Sequence, residues 1–292
     1  MPNLQDIRSR IDSVKNTQKI TQAMRMVSAA KLRRAQENIV NLRPYAHGLL
    51  KVIADIAVTQ RVQHPLLSLD GEVKRVLVVV LTSDRGLCGG FNSSVNKFAE
   101  KFYKENKDKY KTLDFLFIGR KAKDYLVPKG VNAIDTVLNL AKEISFEMAS
   151  EMADRVSDAF TNGDYDEVKI IYSEFKSAIQ QDVVCETLLP VDISHSELNG
   201  EGVLFANDLI FEPQPKEIID DLLERHFSTQ MYRCMSESVA SEHGARMTAM
   251  ENSSKNAKEM INSMTLTYNK LRQAAITTEL IEITSGAEAL NG

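Results

Sequence analysis

Residues 4–32 read LQDIRSRIDSVKNTQKITQAMRMVSAAKL, and a spacing of three then four runs through Leu4, Ile7, Ile11, Val14, Gln18, Thr21, Arg25, Ser28 and Leu32. It continues through Ala35, Ile39, Leu42, Ala46, Leu49, Ile53 and Ile56, which predicts one long helix with a heptad seam. The four polar seam positions are consecutive: Gln18, Thr21, Arg25 and Ser28. Over the same stretch apolar residues reappear two positions on, as Ile20, Ala23, Val27 and Ala30, with Met24 beside them. Two residues are about 200° around a helix, so the apolar face turns away from the seam and predicts a second, external contact around residues 18–31. Pro44 removes a backbone donor inside the pattern and predicts a kink or a break.

The carboxyl end reads the same way. Pro213 and Pro215 suit a helix start, and no proline follows them. A seam runs Met247, Met250, Ser254, Ala257, Ile261, Met264, Tyr268, Leu271, Ala275, then steps by one residue to Ile276, Leu280, Ile283, Ala287 and Leu290. At 1.5 Å per residue, helices over 3–58 and 216–290 would be roughly 80 Å and 110 Å long, too long for one compact domain. Each needs a partner along its seam, and the simplest partner is the other, antiparallel, with residues 60–215 inserted between them.

The inserted part alternates strands and helices. Residues 73–81, Val-Lys-Arg-Val-Leu-Val-Val-Val-Leu, are a β-branched run suited to a strand buried on both faces. Further strands are predicted at Leu113–Ile118, Val131–Asp135 and Glu167–Tyr172, with helices near Lys121–Leu126 and from Glu143 to Thr161. Edge strands are expected at Asp182–Leu189 and Asp208–Phe211. The fold class is therefore a long antiparallel coiled coil with an inserted Rossmann-like α/β domain, in three parts: 1–60, 61–215 and 216–292.

Charge is unevenly placed. Residues 1–60 hold ten basic against four acidic residues, whereas 61–215 hold 18 against 25. No acid lies between Asp12 and Glu37, a window containing Lys15, Lys19, Arg25, Lys31, Arg33 and Arg34, so an acidic partner surface or a polyanion is expected. The longest purely apolar run, Val76–Leu81, is far short of the ~20 residues a spanning helix needs.

Candidate chemistry is sparse. Ser83-Asp84-Arg85-Gly86-Leu87-Cys88-Gly89-Gly90-Phe91-Asn92 sits between a first strand and a first helix, where phosphate loops sit, but lacks both a Gly-Lys-Ser/Thr end and spaced dinucleotide glycines. It reads as a tight turn. Cys88 has no nearby histidine to activate it, only Arg85. The three cysteines and five histidines show no metal spacing, so no catalytic residue, cofactor or metal is expected. Two alternatives to a non-catalytic coiled-coil interaction protein are weighed. One is a coiled-coil nucleic-acid binder, against which aromatics are few; the other is a nucleotide-dependent enzyme built on the glycine-rich loop.

Three blocks resemble the gamma subunit of bacterial F-type ATP synthases: Arg10–Leu32, the Ser83–Asn92 loop, and Ala240–Met250 with Asn269–Leu280. Ser253 and Ser254 stand where that family would have smaller or apolar residues. The resemblance implies a non-catalytic central rotor that turns inside a ring of alpha and beta subunits and couples proton flow to ATP synthesis. It also implies contacts with the epsilon subunit and the c-subunit ring, and indirectly with delta, at the cytoplasmic face of the bacterial inner membrane. The implied ring contacts are Met24, Arg25, Lys31, Arg246, Arg272, Gln273, Thr277 and Glu279, with segments 18–31 and 271–283 as the working parts. The cysteine insertion of chloroplast forms and the presequence of mitochondrial forms are not seen in this sequence.

Overall fold

A computed structural model describes residues 4–60, 64–67, 72–138, 144–191 and 212–291. Helix α1 spans Leu4–Gln60 and helix α5 spans Pro215–Asn291, 57 and 77 residues respectively. Between them lie β1 (Arg75–Leu81), α2 (Phe91–Asn106), β2 (Thr112–Ile118), α3 (Arg120–Leu126), β3 (Ala133–Val137), α4 (Phe146–Thr161), β4 (Glu167–Phe175) and β5 (Gln181–Leu189). The strand expected at Asp208–Phe211 falls outside the described residues. Pro44 neither ends nor divides α1. It sits on an exposed face, and the buried neighbours Ala46 and Leu49 supply tertiary packing that outweighs the lost hydrogen bond.

The chain divides into two compact units, one from the described parts of Met1–Ser28 and Met247–Gly292, the other from Ala29–Arg246. In the larger unit the strand order is β3-β2-β1-β4-β5. The first four strands in this order pair in parallel, and β5 closes the edge antiparallel to β4. Strand β1 is central because all its residues after Arg75 are apolar and buried, so both faces can be covered. Val76, Val78 and Val80 point to one face, under Val95 and Ala99 of α2 and Ala122 and Leu126 of α3. Leu77, Val79 and Leu81 point to the other, where α4 packs together with Ile53 and Ile56 of α1 and Ile219, Leu223, Phe227 and Met231 of α5. The sheet is thus one layer of a three-layer sandwich whose third layer is the helical pair itself.

Local chemistry sets the element ends. Helix α4 begins where Ser145 Oγ accepts the Met148 N–H at 3.2 Å, with Glu147 in the first turn. Gly119, between β2 and α3, has φ of 107°, and a Cβ there would lie 2.1 Å from the Thr82 carbonyl oxygen. Only glycine permits that approach. Thr82 in turn accepts the Ala122 N–H on Oγ1 at 3.0 Å, which fixes where the following loop starts.

In the smaller unit, Ile7 and Ile11 of α1 and Met250 and Ala257 of α5 are buried. Arg25, late in α1's share, pairs with Glu251, early in α5's share, at 3.9 Å, so the two segments run antiparallel. Of the four polar seam positions, Thr21 and Ser28 are buried at 6% and 2% exposure, Gln18 is half-buried and Arg25 is exposed. Thr21 tolerates this by donating its hydroxyl to the Gln18 carbonyl at 2.9 Å.

Candidate partner-contact surface of the shaft

Three regions of exposed or concentrated chemistry follow from this arrangement. The first is the outer face of α1. With the seam committed to α5, Ile20 and Val27 are 59% and 58% exposed, and Met26 is exposed beside them. Met24 is half-buried, and Arg25 is exposed apart from its loose pairing with Glu251. An apolar stripe bordered by Lys15, Lys19 and Arg25 is what an acidic partner with apolar side chains would fit.

The second region is the end of α5. Every residue from Arg272 to Ala287 is exposed. The single-residue step in the seam places Ile276, Leu280 and Ile283 on one stripe, at 50%, 57% and 61% exposure among the described residues. Arg272, Gln273, Thr277 and Glu279 lie on this exposed stretch, and Thr277 donates its hydroxyl to the Gln273 carbonyl at 2.9 Å.

The third region surrounds Arg246, and it lies inward. Arg246 is 8% exposed. Its Nη1 meets Glu242 Oε1 at 2.7 Å, and its Nη2 donates to the Gly86 carbonyl at 3.3 Å. Burial raises the Glu242 pKa against the pull of Arg246 and Lys31. Burial also pushes His243 down to about 4, assisted by Arg246 and Lys31. The Glu242 and Arg246 spacing of four residues was visible in the sequence as a helix ion pair. That Gly86 would complete it was not, because the two parts are 160 residues apart.

The Ser83–Asn92 loop spends its polar groups on itself. Ser83 Oγ donates to the Arg85 carbonyl at 2.5 Å and accepts from Asn92 Nδ2 at 2.8 Å, while Asn92 Oδ1 takes the Ser83 N–H at 3.0 Å. Cys88 and Phe91 pack against Ala245 of α5. Leu87 adopts φ of 63°, uncommon for a branched side chain, and is 66% exposed. The loop therefore works as a brace between sheet and helix.

Sequence reasoning missed a buried charge cluster on the sheet side of α5. Arg233 Nη2 meets Glu186 Oε2 of β5 at 2.5 Å, and Nη1 meets the Tyr172 hydroxyl at 3.0 Å and Glu237 Oε1 at 3.4 Å. Tyr172 donates to Glu186 Oε1 at 2.7 Å. Nothing in the sequence spacing joins β4, β5 and α5 at these residues.

Two long helices flank an inserted α/β domain, and exposed apolar side chains lie on α1 and along the end of α5, features of a stalk-type protein. The family model described as ATP synthase matches residues 3–290. The chain is 60% identical to the ATP synthase gamma chain of Bdellovibrio bacteriovorus and 47% identical to that of Geobacter sp. (strain M21), over all of both chains in each case. Among solved structures, it is similar to a chain in the central stalk and c-ring of the Tetrahymena thermophila mitochondrial ATP synthase. The TM-score is 0.63 at 28% identity, covering 80% of this chain and 98% of that one. A chain of the Euglena gracilis mitochondrial ATP synthase shares the fold, with a TM-score of 0.66 at 22% identity, covering 98% of this chain and 94% of that one. The chain belongs to the ATP synthase gamma chain family. Its role is that of the rotor shaft of an F-type ATP synthase, and it is not itself catalytic.

Proposed function

We propose that the coiled coil of this chain enters a ring of alternating alpha and beta subunits and that the α/β domain and the lower coil meet epsilon and the c-subunit ring. Proton flow through the membrane sector then turns the shaft. An asymmetric shaft presents a different face to each beta subunit, so rotation biases the three in sequence by differential contact. The observation that carries this reading is the stripe of Ile276, Leu280 and Ile283, exposed among the described residues on a stretch of α5 that is exposed throughout.

Met24, Arg25 and Lys31 are proposed to face an acidic segment of beta, and Arg272, Gln273, Thr277 and Glu279 to make polar contacts with the ring. Arg246, expected as a further ring contact, is 8% exposed and holds the Gly86 turn against α5. The functional division is a coil strand at 1–60, a globular domain at 61–215 and a second coil strand at 216–292. No described helix is long and apolar enough to cross a membrane. Membrane association is proposed to come through the complex, at its cytoplasmic face.

The test is reconstitution. Purified chain should show no ATPase activity, should bind alpha and beta subunits, and should restore ion pumping to a complex lacking it. Failure to associate with alpha and beta would overturn the proposal.

A further inference from the structure

The short segment after α1 holds a histidine whose two ring nitrogens are both committed. His64 Nδ1 lies 3.1 Å from the Leu66 backbone N, which donates to it. A nitrogen that accepts carries no proton, so the proton of the neutral ring is on Nε2. There it faces Asp220 Oδ1 of α5 at 3.1 Å. The same turn is closed by the Leu67 N–H donating to the His64 carbonyl at 3.0 Å, and its Leu66 carbonyl takes the Val191 N–H, just past β5, at 2.7 Å. The Leu66 side chain is buried in the core on the helical-pair side of the sheet. One imidazole thus joins the chain leaving α1 to the first turns of α5, beside the exit of β5.

We propose that His64 is an acid-released latch for this three-way junction. The reason is the direction of the Leu66 hydrogen bond. Protonation puts a hydrogen on Nδ1, so two N–H donors would face each other at 3.1 Å, and either the ring or the turn must move. Protonation leaves the Asp220 contact intact and strengthens it, so the ring is drawn toward α5 while the turn is released. Among the described residues, the charged groups acting on the ring are both on α5: Asp220, which favours protonation, and Lys216, which opposes it. The exit of β5 contributes only the backbone N–H of Val191. Burial outweighs Asp220 and holds the His64 pKa below its ordinary value, as a latch closed at neutral pH requires.

Two measurements on the full-length chain test this. A long-range proton–nitrogen NMR spectrum at neutral pH should place the His64 proton on Nε2; a proton on Nδ1 overturns the latch. Hydrogen exchange at the Leu66 and Leu67 amides, corrected for the intrinsic pH dependence of exchange, is then followed from about pH 8 to pH 4. Protection in the native chain should fall by up to about tenfold per pH unit below about pH 6.5, the ordinary value of the released ring, and level off once pH passes below the lowered pKa of the latched ring. In His64→Asn the side-chain oxygen can still accept the Leu66 N–H but cannot titrate, so protection should stay flat. A flat profile in the native chain, or a parallel fall in the Asn variant, overturns the proposal.

Discussion

Replacing Arg233 with alanine tests whether the cluster on the sheet side of α5 is held by buried charge or by packing. The guanidinium, 20% exposed, meets Glu186, Glu237 and the Tyr172 hydroxyl. The two carboxylates are unequal. Glu186 has 37% of its side chain exposed, so its pairing is screened by water and contributes no more than about 1 kcal/mol. Glu237 has 3% exposed, and removing a cation from a carboxylate in that setting costs about 3 kcal/mol. Arg233→Ala is therefore expected to destabilise the chain by about 3 kcal/mol, read as a 6–12 °C fall in midpoint at roughly 2–4 °C per kcal/mol. Adding Glu237→Gln removes the charge that made the change costly and should recover about 2 kcal/mol. Urea unfolding followed by circular dichroism measures both variants. If Glu237→Gln fails to rescue, or worsens, the Arg233→Ala background, the cluster is not held by buried charge and the reasoning is wrong.

At Gly244, a Cβ would meet the Ala178 Cα at 3.3 Å and the Phe175 ring at 3.5 Å. Gly244→Ala should accordingly come out near neutral, helix propensity of about 1 kcal/mol offsetting the crowding. Gly244→Val should lose about 2 kcal/mol by thermal melting. His226 and His243 both have pKa values pushed down to about 4 by burial, so their contribution to stability is complete above about pH 6.5 and is lost as pH falls toward 4. Glu242, raised by burial, acts in the opposite direction. Stability should fall between pH 7 and pH 5, and His226→Gln should reduce that slope by about one proton in paired denaturant titrations. The triple change Ile276→Ser, Leu280→Ser and Ile283→Ser removes side chains that are exposed in this chain. It should move the melting temperature little while weakening binding to alpha and beta subunits at least tenfold in a binding titration.

What the sequence revealed, it revealed through period. The seam from Leu4 to Ile56 reappears as a buried stripe, and the stripe of Ile20 and Val27 is exposed, because both depend on helical spacing alone. Strand β1 was legible from its β-branched run, since a strand buried on both faces leaves no alternative composition. Boundaries were less so: β4 extends to Phe175, beyond the expected Tyr172, because pairing with β5 carries the ladder onward. Helix α4 begins at Phe146 because Ser145 caps it, a signal present in the sequence but passed over for Glu143. The resemblance implied Arg246 as a ring contact, and its burial against Gly86 depends on a turn that only tertiary structure brings near. The Arg233 cluster was illegible for the same reason, since its members come from three elements with no common spacing.

The exposed end of α5 has an energetic consequence. Residues 272–287 form about four turns, all exposed among the described residues, and they are rich in Ile and Thr, including Ile276, Thr277, Thr278, Ile281, Ile283 and Thr284. A helix of that length is marginal in water when nothing packs on it, and β-branched side chains lower its propensity further. Thr277, Thr278 and Thr284 each spend their hydroxyls on carbonyls of the preceding turn. In the unassembled chain this end is expected to fray, which hydrogen exchange at the amides of residues 272–287 would read as low protection. If the proposed ring encloses it, part of the affinity of assembly would be spent on holding the helix complete.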